Sequence, residues 1–509
     1  MTNDKRIRVK ERKEKTMKIE KLLLLFALVC LFFAACSGEP AKGGGDPTGA
    51  NPETSGEGEA PSENSFVSDN LPDLDYGGDT VRVWGRQVDN VFYDTEWEFV
   101  EEQSGEVFND SMHTRELAVE GRLNINIEKT LTTASYQNAY KAVKAGDDSF
   151  DFLFANAYDV AAHGLEGIYV NLVNFPYIDY DMPWWPDTIK TDITINGKTY
   201  FVTGDITPSV LGFMNCIFYN KNIAANHDIS GLYDLVFSGK WTFDEYAKAA
   251  KGLYKDLNGN GIVDAEDQFG LTMSDYYDVY FSAFEIPITL TNPDGSLSLA
   301  LGEKFYTAYE RLRTLSMSED GLPQPISNKG ESVNYGNDVI YFTQGKIFFF
   351  GGLVRFSNYF RAMDDDYGIL TVPKWDMGQE KYRTTSHANY SLVSVPVTLP
   401  DARREIAGAT MEALASEGYR TTTPAYFDST LKNKFSRDEE SLKVLDILKN
   451  GLEFQPVMIY YKNMGDILHL FRYAVYPQAQ YENMVSFYEK NQPTFQKAIN
   501  KFNEYYLAN

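Results

Sequence analysis

The chain has 509 residues, more than a single hydrophobic core usually serves, so two folded lobes are the expectation. Its 47 basic and 72 acidic residues leave a formal charge of -25, which excludes nucleic acid and anionic lipid surfaces as partners, because those need Lys and Arg to neutralise phosphates. Of the three cysteines, Cys30, Cys36 and Cys216, only the last lies in the body, so no internal disulfide can form there.

The first element is an address. Residues 17–36 read MKIEKLLLLFALVCLFFAAC, with Lys18 and Lys21 as the positive flank and Leu22 to Phe33 as the apolar run. That run is shorter than the roughly 18 residues of a spanning helix and reads as a secretion signal, with Met1 and Met17 both open as the start. Ala34-Ala35 before Cys36 and Ser37-Gly38 after it resemble the lipobox of bacterial lipoproteins, with Phe33 where that motif usually has leucine. The resemblance implies a signal peptide over 1–36, lipidation of Cys36, and a body held at the extracellular face of the cell membrane. A plain secreted protein with a chance cysteine is the alternative. Residues 37–75 are rich in Gly, Pro, Ser and acids and read as a disordered spacer.

The body starts at DTVRVWG (79–85), whose alternating valines read as a strand. A helix-like pattern over 94–120 precedes the strand LNINIEKT (123–130); 136–145 suits a helix and DFLFANA (151–157) a third strand. Strand and helix in alternation predict a parallel sheet covered on both faces. A hinge is expected near 198–216, where Gly204-Asp205 and Pro208 interrupt strand-like apolar density. WTFDEYAKAAKGLYKD (241–256) reads as an amphipathic helix with Tyr246, Ala249, Ala250 and Leu253 on its apolar face. Thr242 is its N-cap and Glu245 completes a capping box. Further strands are expected at 345–352, 367–373 and 391–397, and helices at 402–418 and 439–450.

The stretch KDLNGNGIVDAEDQFG (255–270) places oxygen side chains at loop positions 1, 3, 5, 9 and 12: Asp256, Asn258, Asn260, Asp264 and Asp267. Gly261 stands at position 6 and Ile262 offers the position 7 carbonyl, which is the EF-hand spacing for calcium. Aspartate at position 12, where glutamate normally reaches in with both oxygens, predicts a weaker site. With no second loop to pair with, a structural Ca2+ is expected rather than a sensor. A solvated acidic turn is the alternative.

Taken in order, VRVWG (81–85), IFYNKNI (217–223), WTFDEYAKAAKGL (241–253), FTQGKIFFFGGL (342–353) and YGILTVPKW (367–375) resemble the family 1 extracellular solute-binding lipoproteins of bacterial ABC importers, the sugar-binding type. The resemblance implies an α/β, periplasmic-binding-protein-like fold with two α/β lobes and a ligand cleft between them. On that layout lobe one is 76–200 with 370–415, and lobe two is 201–369 with 416–509. It further implies capture of a carbohydrate ligand, read here as an oligosaccharide from the aromatic content, with presentation to a membrane ABC permease and no chemistry. The body is expected to be soluble and monomeric.

A sugar site wants aromatic platforms beside carboxylates and carboxamides, at the carboxyl ends of strands. The candidates are Gly85 and Arg86 after the first strand, Asn156 and Tyr158 after the third, and Asp205 at the first crossover. Gly352 and Arg355 beyond the GKIFFF strand, Asn389 and Tyr390, and the paired rings Trp184 and Trp185 complete the set. Any one of the rings could instead be core, and Asp205 could pair with Arg355 across the hinge. Trp84 and Trp241 read as packing residues. Three rival readings share the chain: a ligand sensor on the same fold, a binder of a non-sugar solute, and a secreted glycoside hydrolase. The hydrolase needs two facing carboxylates, and no pair stands out by position.

Overall fold

The structure is a computed structural model that describes residues 67–86, 99–100, 102–133, 135–273, 277–322, 337–432, 439–468, 470–471 and 483–508. The expected signal peptide, Cys36 and most of the spacer lie outside the described residues.

β1 (Asp79–Arg86) buries Val81 and Val83 at alternate positions and pairs in parallel with β2 (Ile125–Thr132) and β3 (Phe152–Asn156). Phe152 to Ala155 are buried without alternation, as a strand covered on both faces requires. Of the helix expected over 94–120, the described part runs from Val107 to Leu123, and residues 94–98 and 101 lie outside the described residues. It ends because Asn124 takes a left-handed conformation (φ 50°), in which its N–H returns to the Glu120 carbonyl. Helix Ser135–Lys144 links β2 to β3.

The chain then passes to a second sheet through residues 198–214, where the sequence places the hinge, and forms β4 (Asn215–Asn220). β5 (Phe269–Thr272), the hairpin β6 (Thr289–Thr291) and β7 (Leu297–Leu299), β8 (Ile347–Leu353) and β9 (Tyr367–Leu370) follow. The order of this sheet is β5-β8-β4-β9, with β4 antiparallel to both neighbours and β5 parallel to β8. The helix read from 241 starts with the Thr242 hydroxyl accepting the Glu245 N–H (3.5 Å), but it stops at Ala250 rather than near 256. The carboxylate of Asp320 explains the stop: it accepts the N–H groups of Gly252, Leu253 and Tyr254 at 2.9, 2.8 and 2.9 Å.

A second passage returns the chain to the first sheet as β10 (Ser391–Ser394), antiparallel to β3, giving the order β10-β3-β1-β2. The bridges Val202–Val393 and Met214–Ser386 tie the two passages side by side. Helix Arg404–Glu417 packs on helix Val107–Leu123, and so does helix Thr423–Lys432. Residues 418–432 therefore sit with the first sheet, although the sequence layout assigns 416–509 to lobe two. Helix Glu439–Asn450 packs against β9, where Ser441 Oγ accepts the Ile369 N–H at 3.2 Å, and a third passage, residues 451–461, follows it.

Most aromatic rings are core. Phe218, Phe342, Phe350, Phe360 and Tyr367 form one cluster inside the second lobe. Trp84 stacks on Phe150 (4.7 Å), and buried Trp241 donates its indole N–H to the Thr371 carbonyl (2.9 Å). In the first lobe, fully buried Asp151 is held between Arg82 and Arg403 at 2.9 and 2.7 Å.

Candidate functional site

β3 ends at Asn156, and its side chain caps the next helix, Ala157–Gly164, by accepting the Tyr158 N–H at 3.0 Å. The amide of Asn156 donates to Asn389 Oδ1 (3.1 Å), and Arg86, at the end of β1, reaches the Asn389 carbonyl (3.4 Å). The Tyr158 hydroxyl lies 3.1 Å from His387 Nε2, while Ala157 N–H donates to the Tyr390 carbonyl (2.9 Å). Five predicted residues, Arg86, Asn156, Tyr158, Asn389 and Tyr390, are thus brought together where the first sheet meets the second passage.

Tyr158 and Tyr390 open onto a cavity of about 40 Å³ between the two lobes. The second lobe contributes Asn215, the first residue of β4, and Asp278 of helix Tyr277–Ala283. His387 comes from the second passage, and Glu453, Phe454 and Tyr461 from the third. Two polypeptide crossings and both lobes therefore share one wall. Rings, carboxylates and carboxamides are all represented, the mixture that a hydroxyl-rich ligand with apolar faces requires.

Glu453 is held by three neighbouring side chains. Its Oε2 accepts from Ser282 Oγ (2.7 Å) and Gln455 Nε2 (3.4 Å), and its Oε1 faces Arg383 Nε at 3.2 Å. Burial pushes its proton affinity above the usual carboxylate range, opposed by the Ser282 bond and the Arg383 charge. Arg383 also meets Glu285 at 2.7 Å.

The other candidates serve packing. Trp184 and Trp185 are enclosed, 0% and 2% exposed, and each donates its indole N–H to Glu412 at 2.9 Å. With Gly204, Asp205 and Lys449 they line a second cavity of about 220 Å³, but the Pro-flanked pair is locked by its polar edges and almost none of its ring surface is exposed. Asp205 pairs with Lys449 (2.9 Å) and accepts from Thr423. Beside it, Gly204 sits at φ 138° with the Trp184 carbonyl 2.5 Å from where a Cβ would be, so only glycine fits. Gly85 and Gly352 are close-packing positions against Leu131 and the rings of Phe350 and Phe356. Arg355 lies over the Phe213 ring (4.8 Å), itself 6.2 Å from His387, one residue behind the cavity.

Sequence reasoning passed over Asn215, Asp278, His387, Glu453 and Tyr461. His387 carried a usable signal, being one of only five histidines and two residues from Asn389. The Glu453 position had none, since an acid after a helix is common in so acidic a chain.

In the 256–267 loop the predicted side chains turn inward. Asp256 accepts the N–H groups of Gly259 and Gly261 (2.6 and 2.8 Å), and the Asn258 and Asn260 amides face Asp264. Buried Asp267 accepts from Leu257 N, Asp264 N and the Tyr254 hydroxyl at 3.3, 3.0 and 3.1 Å. Counting His, Cys, Asp and Glu alone, no group of three among the described residues is placed to hold a metal. The expected donor set includes three carboxylates, Asp256, Asp264 and Asp267, and these do not form such a group; they accept hydrogen bonds from the loop's own backbone and amides instead.

The architecture is similar to that of solved binding proteins. UspC of Mycobacterium tuberculosis matches with a TM-score of 0.53 at 14% identity over 82% of this chain and 100% of its own. The fold is that of the ABC-transporter solute-binding proteins. A cyclo/maltodextrin-binding protein complexed with maltotetraose matches this solute-binding fold at 0.52 and 14% identity, over 84% of this chain and 96% of its own. MalE of Bdellovibrio bacteriovorus, bound to maltotriose, matches at 0.51 and 14% identity, over 83% and 100%. No protein-family model matches the chain, and no curated protein does.

Proposed function

We propose that this chain is the capture component of an ABC importer, taking a carbohydrate between its two lobes and passing it unchanged to a membrane permease. The observation that carries this reading is the interlobe wall, where Tyr158 and Tyr461 stand beside Asn215, Asp278 and Glu453. Rings that can lie on a pyranose face alternate there with acceptors for its hydroxyls. The cavity, about 40 Å³, is far below the roughly 300–1,000 Å³ of a filled ligand site, so the lobes must part to admit a sugar. An oligosaccharide is the size class the aromatic content of the chain suggests.

The lipid anchor at Cys36 and the extracellular face belong to the same reading. So does Ca2+, held by Asp256, Asn258, Asn260, Ile262, Asp264 and Asp267 and serving to staple the loop between Ala250 and β5. A ligand sensor would need the same closing cleft; neighbouring genes, permease subunits or a histidine kinase, separate the two. The test is thermal denaturation against a panel of linear and cyclic oligosaccharides and polyols. A dose-dependent rise in melting temperature with one carbohydrate is expected, and no rise with any of them contradicts the reading.

A further inference from the structure

The cavity wall contains a carboxylate whose partners can be counted. A carboxylate offers about four acceptor positions. Ser282 and Gln455 occupy both on Glu453 Oε2, while Arg383, whose Nε–H donates to Glu285 at 2.7 Å, stands 3.2 Å from Oε1 as a charge, so the acceptor positions of Oε1 remain for a ligand, on a residue that lines the cavity. The three partners come from different parts of the molecule: Ser282 from the second lobe, Arg383 from the second passage, and Gln455 from the third. The next residue, Phe454, is pinned by its N–H on Asp192 Oδ2 at 3.0 Å.

We propose that Glu453 reads one ligand hydroxyl in the interlobe cavity, with Arg383 as the positioning cation that keeps its carboxylate an acceptor. The inference rests on the carbohydrate reading above and adds the residue that selects among sugars. An ionised Glu453 accepts from a hydroxyl. Once protonated it presents a donor instead, and the same hydroxyl must turn to meet it. The charged or titratable groups around it are Arg383, Glu285 beyond Arg383, Asp192, and the cavity residues Asp278 and His387. Of these only Arg383 is a permanent cation, so removing it leaves the carboxylate among acids and favours its protonation. Ligand affinity then falls as pH drops through the titration of Glu453, and that fall begins at higher pH without Arg383.

The experiment measures affinity for maltotriose, maltotetraose and ribitol between pH 5 and 8 in the full chain and in Glu453→Gln and Arg383→Met. With the best-bound probe, Glu453→Gln is expected to weaken binding about 10- to 100-fold at pH 7.5, the worth of one hydrogen bond to a charged group, and to flatten the pH profile. Arg383→Met is expected to keep binding at pH 8 and lose it at a higher pH than the parent. A role in folding alone would lower the melting temperatures and leave both profiles parallel to the parent's, which overturns the proposal. Equal affinity in parent and Glu453→Gln overturns it as well. If the parent binds none of the three, the carbohydrate reading fails and this inference falls with it, an outcome visible before any variant is made.

Discussion

The indole N–H of Trp184 and the carboxylate of Glu412 meet at 2.9 Å inside the first lobe, with Trp185 donating to the other oxygen. No cation among the described residues pairs with Glu412, and burial pushes its carboxyl up to about 7 from its ordinary 4.5 despite the two donors. The folded chain therefore holds a proton that the unfolded chain releases between those values. Its contribution to stability is complete below 4.5 and is lost as pH rises to about 7, by about 3 kcal/mol at most. Urea titrations at pH 5 and 8 should show Glu412→Gln costing more stability at pH 5 than at pH 8. An equal cost at both would mean that Glu412 is ionised throughout.

Asp151 behaves in the opposite sense. Burial works against its ionisation, but Arg403 and Arg82 hold its carboxyl below the usual range. Its stabilisation is present at neutral pH and lost as pH falls through that lowered value. Replacing it by Ala leaves two arginines facing a void and should cost about 3–5 kcal/mol in chemical denaturation at pH 7. A cost below about 1 kcal/mol would show the pair to be solvent-screened.

The division of the predicted site residues can be checked by contrast. Tyr158→Ala removes a cavity ring and should weaken sugar binding about tenfold with little change in melting. Asp205→Ala breaks the contact with Lys449 and Thr423 and should lower the melting temperature while leaving the affinity of the folded protein near the parent's. The reverse pattern would place the site at the hinge turn.

For the loop at 256–267, removal of calcium with chelator should lower the melting temperature and added calcium restore it. A ligand at 100 times its dissociation constant stabilises by about 2.7 kcal/mol. Asp256→Ala should abolish the response, and an identical melt under all conditions would retire the site.

The elements were legible where local chemistry decides them. Alternation at Val81 and Val83, and the continuous apolar run at Phe152, mark strands because the first is fully covered on one face only and the second on both. The ends were less legible: the helix after Thr242 stops at Ala250 because of Asp320, a partner 70 residues away that no local pattern contains. The same limit divided the site. Asn156 and Tyr158 could be found because strand ends face the cleft, whereas Glu453 is set by Ser282 and Arg383, contacts made only on folding. Trp184 and Trp185 misled because exposure, not ring chemistry, decides whether an aromatic pair can stack on a sugar, and Glu412 had already claimed both.

Isothermal titration of the chain with maltotetraose and related oligosaccharides tests capture without chemistry most directly. A saturable heat with one ligand per chain, returning to baseline after each injection, is the expected result. A sustained heat that continues until the sugar is consumed would contradict it and mark the interlobe cavity as a catalytic one.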